Sequence, residues 1–294
     1  MATPAQWIQG ARPRTWPAAI APVLAGTGTA IWQTGFDAGT VIPRALLALG
    51  VALALQIGVN YANDYSDGVR GTDADRVGPF RLTGSGAAPA AQVKLAAFAS
   101  LAAGGLFGLV LVALIGAWWM LIIGALAIAA AWFYTGGKKP YGYLGLGELF
   151  VFIFFGLVAV LGTVYAISTV VLWPAVLIAI AIGLLACAVM VTNNLRDIPG
   201  DTESGKQTLA VRLGDGRTRV LYAACVIVPF ALMIPIIAGH WPSVIVMLAA
   251  LLAIRPLRTV LDGARSRWLI PVLGETGLLE LVFAILVLVS YCIG

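Results

Sequence analysis

The strongest constraint on this chain is a succession of uncharged apolar segments, each about as long as a bilayer is thick. The stretch "LLALGVALALQIGV" at 46–59 is one, with Gln56 its only strongly polar side chain. A hydrocarbon core takes roughly 20 helical residues to cross. Nine segments fit that length, at about 16–33, 43–62, 91–115, 117–135, 147–168, 171–194, 219–239, 241–257 and 274–293. Only 11% of the 294 residues are charged, against about a quarter in soluble domains. The expectation is an all-α, polytopic membrane protein of nine transmembrane helices, forming one domain over 1–294.

With nine spans the connections alternate between two faces. Arg44 falls alone on one face and the other 17 Lys and Arg residues on the opposite one. Cations accumulate on the cytoplasmic side, so the N-terminus is expected there, in the plasma (inner) membrane. The net charge of +5 is then a topology signal, and nucleic acid is not an expected partner. Cys187, Cys225 and Cys292 fall within spans without a CxxC spacing and read as small buried hydrophobes. The single histidine, His240, sits in a turn on the opposite face, which removes histidine chemistry from the cationic one. Residues 1–15 lack the pattern of a cleavable signal peptide, so the first span is expected to be retained.

The cationic face also holds every long loop, and that one-sided investment locates the chemistry. The second span runs into "NYANDYSDGVRGTD" at 60–73 and the sixth into "NNLRDIPGD" at 193–201. Asn60, Asp64 and Asp67 are spaced to share one helix face if the second span continues for another turn. Asn193, Asp197 and Asp201 follow a similar spacing. Pro199 is expected to stop or kink the sixth helix near 198, placing Asp201 on a loop. The two segments also suggest an internal pseudo-repeat of helix pairs.

Carboxylates three or four residues apart on a helix repel one another, more so beside a membrane. Two such clusters without histidine or thiol suit a hard divalent cation, Mg²⁺ best, which takes one or two carboxylates and keeps waters and phosphate oxygens. The amides of Asn60, Asn63, Asn193 and Asn194 add ligands without charge. Arg70, Arg81, Arg196, Lys206, Lys138 and Lys139 stand nearby, and acids mixed with cations fit a phosphate or diphosphate ester. Between the clusters, "AWFYTGGKKPYGYLGLGELFVFIFFG" is crowded with aromatics. They fit either a membrane-interface belt or the wall of a cavity that shelters an isoprenoid chain or a carbocation. Glu148, entering a span, is either functional or salt-bridged to Lys138 or Lys139.

The paired motifs "NDYSD" at 63–67 and "NNLRDIPGD" at 193–201 resemble those of the UbiA superfamily of intramembrane prenyltransferases, over essentially the whole chain. The resemblance implies nine helices around a central cavity. "ARPRTWPAAIAPVLAG" at 11–26, "GPFRLTGSG" at 78–86 and "YTGGKKPYGYLGLGELFVFIFFG" at 134–156 are similar to the branch that prenylates 1,4-dihydroxy-2-naphthoate. That branch implies polyprenyl transfer from polyprenyl diphosphate with decarboxylation, giving demethylmenaquinol in menaquinone biosynthesis. It implies Asp64, Asp67, Asp197 and Asp201 as Mg²⁺ ligands, and Asn60, Asn63, Arg81, Asn193, Arg196 and Lys206 as diphosphate-binding residues. Arg12, Arg14, Tyr134 and Lys138 would position the acceptor. The superfamily's third acid of the first motif would fall at Gly71; here it comes at Asp73. Two other readings stay open: a different acceptor such as 4-hydroxybenzoate, and an ion or small-molecule transporter. Acids confined to helix ends on one face disfavour the transporter.

Overall fold

The computed structural model describes residues 2–71 and 80–293, and among them there is no β-strand. Asp73 and Arg76 lie outside the described residues. A short helix α1 (Pro4–Gly10), capped by Thr3 and Gln6, leads to Arg12 in a left-handed conformation at φ 52°. Then come α2 (Pro17–Thr34), α3 (Ala38–Arg70), α4 (Ala90–Ile115) and α5 (Met120–Phe133). Helix α6 (Gly147–Val151) passes through a π-helical segment, Phe152–Val158, into α7 (Ala159–Ser168). The chain ends with α8 (Trp173–Glu203), α9 (Leu209–Gly239), a 3₁₀ segment at Trp241–Ala249 leading into α10 (Ala250–Leu261), and α11 (Ile270–Ile293).

Among the described residues, seven helical stretches are long and apolar enough to cross a membrane; the other two predicted segments, α2 and α5, are helical but fall short of that standard. Helix α5 has only 14 residues. Helix α2 is diluted by Gly, Thr and Pro because it packs against protein. A Cβ on Gly28 would lie 2.5 Å from Leu288 Cα, and one on Gly26 would lie 2.8 Å from the Val160 carbonyl oxygen. Small residues that let backbones meet are how helices associate where lipid is as apolar as leucine. The same device joins the π segment to α8, where a Cβ on Gly156 would reach Gly183 Cα at 2.5 Å.

Helix α3 runs past the hydrocarbon-length stretch to Arg70 and stops at Gly71, whose left-handed φ of 72° closes the helix. Asn60, Asp64 and Asp67 therefore share a helix, as the spacing predicts. The expected stop at Pro199, with Asp201 on a loop, is overturned: α8 continues through the proline to Glu203 and carries Asp201 itself. One lost backbone bond near the end of a 31-residue helix is tolerable, because other groups hold the last turn. The Thr202 hydroxyl donates to Ile198 O at 2.7 Å and the Lys206 amide to Asp201 O at 2.8 Å. A buried core built mainly from α7, α8, α9 and α11 encloses Tyr222 and Phe283 fully. Beside it the bundle is hollow.

Candidate active site

The hollow is a cavity of about 1520 Å³ walled by α2, α3, α4, α5, α6 with the π segment, α7, α8 and the first turns of α11. Along α3 its wall extends from Ala48 to Asp67. At 1.5 Å per residue that is about 28 Å, close to the thickness of a hydrocarbon core. At the far end Trp119 and Tyr165 meet edge to face, ring centroids 5.3 Å apart. The shaft is aliphatic and aromatic, while the other end is a polar rim formed where α3 and α8 finish.

One residue of the loop between α5 and α6 draws the two acid motifs together. The Tyr143 hydroxyl donates to Asp67 Oδ1 at 2.6 Å, and Lys206 Nζ stands 4.6 Å from the centre of the Tyr143 ring. Lys206 in turn faces Asp201 Oδ1 at 4.0 Å. The Gln207 amide donates to Tyr143 O at 3.0 Å, fixing the second motif's loop to the same residue. The first motif's loop is pinned differently. Asp64 accepts from the backbone amides of Leu82 at 2.6 Å and Thr83 at 2.9 Å, which delivers Arg81 to the rim, where its guanidinium donates to Asp67 Oδ2 at 3.4 Å.

Of the four acids expected to hold metal, Asp67 and Asp201 line the cavity, and Asp64 and Asp197 do not. The Asp64 carboxylate, 1% exposed, is committed to two backbone amides. Asp197 grips Arg196 with both oxygens, at 2.7 and 2.8 Å. The expected diphosphate residues Asn60, Asn63, Arg81, Asn193, Arg196 and Lys206 all line the cavity. So do Arg12, Arg14 and Tyr134, whereas Lys138 is exposed and outside the wall. Glu148 pairs with neither lysine: its Oε1 accepts from Asn194 Nδ2 at 2.8 Å. That bond turns the Asn194 amide nitrogen away, leaving its carbonyl oxygen for the cavity it lines. Asn193 has the opposite polarity, since its Oδ1 accepts from Arg196 at 2.8 Å and its NH₂ is left over.

Sequence spacing did not single out three wall residues. Thr135 donates to Asn63 Oδ1 at 2.7 Å. Tyr141 stacks on Phe150 at 4.0 Å and donates to Ala130 O at 2.9 Å. Burial pushes the Tyr141 phenol above its ordinary value, so it stays neutral. Gln56 sits one turn below Asn60, and both amides donate to the Thr15 hydroxyl, at 2.9 and 3.0 Å. A polar side chain inside an otherwise apolar run was the available signal for Gln56.

The rim's donor set fits Mg²⁺ in character: carboxylates and amide carbonyls, with no histidine or thiol on the wall. Among the described residues no three His, Cys, Asp or Glu side chains converge on one point. That suits an ion which takes one or two carboxylates and completes its shell with water and phosphate oxygens.

An apolar shaft crossing a membrane bundle, topped by acids and guanidinium groups, defines an intramembrane enzyme for a lipid with an anionic head. The chain belongs to the UbiA prenyltransferase family, whose model matches residues 16–269. It is 56% identical over 291 residues, 98% of this chain and 97% of that protein, to 1,4-dihydroxy-2-naphthoate octaprenyltransferase of Mycobacterium tuberculosis (strain ATCC 25618 / H37Rv). The Escherichia coli (strain K12) protein of the same name is 44% identical, over 75% of this chain and 72% of that protein. In fold, the chain resembles a UbiA homolog from Aeropyrum pernix K1, with TM-score 0.70 and 18% identity over 94% of this chain and 97% of that one. It likewise resembles a UbiA homolog from Archaeoglobus fulgidus bound to GPP and Mg²⁺, with TM-score 0.68 and 15% identity over 97% and 99%.

Proposed function

We propose that this protein transfers a polyprenyl group from polyprenyl diphosphate to 1,4-dihydroxy-2-naphthoate, releasing carbon dioxide and diphosphate and yielding demethylmenaquinol for menaquinone biosynthesis. The observation that carries the reading is the Tyr143 bridge, which sets Asp67 and Asp201 around one mouth of the apolar shaft. A single diphosphate at that mouth can engage both motifs while its tail lies in the shaft. Near-full-length likeness to a naphthoate octaprenyltransferase supports the acceptor. The reading keeps nine spans, with α2 and α5 included, and a plasma-membrane location with the rim and the N-terminus on the cytoplasmic side, as the cation count favours.

In this reading Asp67 and Asp201 hold Mg²⁺, with the Asn194 carbonyl beside them. Arg81, Arg196, Lys206 and the Asn193 amide donate to the diphosphate oxygens, and Asn60 and Asn63 shape the mouth. When bound, the metal neutralises charge that accumulates on the departing diphosphate. The protein's own cations do the same from fixed positions in a water-poor site. The allylic C–O bond breaks, and aromatic walls such as Phe150 and Tyr141 shelter the cationic prenyl carbon from water. The electron-rich ring carbon bearing the carboxylate attacks it. The C–COO⁻ bond then returns its electron pair to the ring as carbon dioxide leaves, restoring aromaticity. Arg12 and Arg14 hold the acceptor's carboxylate. Asp64 and Asp197 act one step back, anchoring the Leu82–Thr83 backbone and Arg196.

The test is direct. Purified protein with octaprenyl diphosphate and Mg²⁺ is offered dihydroxynaphthoate or 4-hydroxybenzoate, and prenylated product is measured. Product from the naphthoate, lost on chelation, is expected; product from 4-hydroxybenzoate alone would overturn the acceptor.

A further inference from the structure

The Thr15 hydroxyl has one hydrogen, and it goes to Arg12 O at 2.9 Å. Thr15 Oγ1 must therefore accept from both amides that approach it, Gln56 Nε2 at 2.9 Å and Asn60 Nδ2 at 3.0 Å. This fixes which way the Gln56 amide faces, an assignment that usually rests on the surrounding network. The consequence is an orphan: Gln56 Oε1 is buried in the cavity wall with no hydrogen-bond partner, in a side chain only 6% exposed. A buried carbonyl oxygen left unpaired costs about 1–3 kcal/mol. Leucine would fill this helical, membrane-depth position without that penalty.

The position of the orphan is informative. Gln56 lies one helical turn below Asn60 and three turns below Asp67, between the charged rim and the apolar shaft. Arg12, Arg14 and Thr15 border the same stretch of wall. Arg12 is held there in a left-handed backbone conformation, at φ 52° and ψ 68°, that non-glycine residues seldom adopt. An aromatic acid that offers its carboxylate to the arginines would turn a ring edge, and the hydroxyl on it, toward Gln56.

We propose that Gln56 Oε1 is the hydrogen-bond acceptor for a ring hydroxyl of the aromatic substrate, and that this contact selects a para-dihydroxylated acid. The inference rests on the acceptor reading above. Of the two hydroxyls of dihydroxynaphthoate, the one beside the carboxylate can donate to that carboxylate within the molecule. The hydroxyl on the opposite side of the same ring has no internal partner and needs one from the protein. A site built around a substrate hydroxyl discriminates against the analogue lacking it, because the buried partner is again left unpaired.

The experiment is equilibrium binding to the full chain in detergent, with a non-reactive prenyl thiodiphosphate and Mg²⁺ present. The two ligands are 1,4-dihydroxy-2-naphthoate and 1-hydroxy-2-naphthoate. Wild-type protein is expected to bind the dihydroxy acid about tenfold more tightly, the scale of one buried hydrogen bond. Gln56→Leu is expected to bind the two alike. Thr15→Val removes the acceptor that fixes the Gln56 amide and is expected to bring the two affinities closer together. Equal binding of the two acids by wild-type protein, or an unchanged ratio in Gln56→Leu, would overturn the assignment. The wild-type comparison stands even if the variant does not fold. Binding of neither acid to wild-type protein would overturn the acceptor reading instead.

Discussion

The two acidic segments look alike in sequence and are used differently. At the end of α3, Asp64 is spent on backbone: both oxygens serve amides of the loop that presents Arg81. Asp67, 3% exposed, faces a tyrosine hydroxyl as well as that arginine. At the end of α8 both acids face cations, Asp197 on Arg196 and Asp201 on Lys206. The first segment sets one acid at the mouth and commits the other to backbone. The second is a set of ion pairs whose partners, in the proposed function, give way to a diphosphate and its metal. An aspartate in such a motif can thus face the cavity or hold up a loop beside it, and spacing alone does not separate the two.

The largest effect expected from this contrast is at the acids that line the mouth. Asp67→Asn and Asp201→Asn keep side-chain shape and one acceptor oxygen while removing the charge. Each should lower kcat/KM by about a thousandfold, roughly 4 kcal/mol, with little change in melting temperature. The change at Asp64 should have a different signature. In Asp64→Asn one oxygen still accepts, but the NH₂ group confronts the other backbone amide, leaving a buried donor unpaired at about 1–3 kcal/mol. Melting in detergent should drop by a few degrees, and KM for prenyl diphosphate should rise as Arg81 loses its support. If Asp64→Asn instead melted like wild type and lost a thousandfold, Asp64 would belong with the ligands and the contrast would collapse.

How much of this was legible beforehand follows the range of the interactions. Apolar run lengths placed the helices, and the acids' spacing placed Asn60, Asp64 and Asp67 on one helix, because both are local properties. The role of Asp64 was hidden, since its partners are backbone amides 18 and 19 residues onward and carry no side-chain signature. Glu148 was hidden for a related reason: Asn194, its partner, is 46 residues away on another helix. Pro199 misled because a local rule was outweighed by the helix already built before it and the hydroxyls after it. Helix α2 falls short on apolarity because it is chosen for close backbone contact rather than for lipid.

The smallest predicted effect tests the joint between the two segments. Tyr143 contributes in two separable ways: its hydroxyl to Asp67 of the first segment, and its ring to Lys206 of the second, with Arg70 Cζ also 5.5 Å from the ring centre. Tyr143→Phe removes only the hydroxyl. It should lower kcat/KM by about tenfold, the scale of one hydrogen bond to a charged group. Tyr143→Leu also removes the π-face beneath the ammonium, a contact worth about 0.5–2 kcal/mol, and so should fall further, chiefly through KM for the prenyl diphosphate that Lys206 is proposed to bind. If the two variants were equally impaired, the ring would carry nothing and the segments would be joined through Asp67 alone. If Tyr143→Phe matched wild type while Tyr143→Leu failed, the hydroxyl would be idle in the working enzyme, and Asp67 would answer only to Arg81 and the metal.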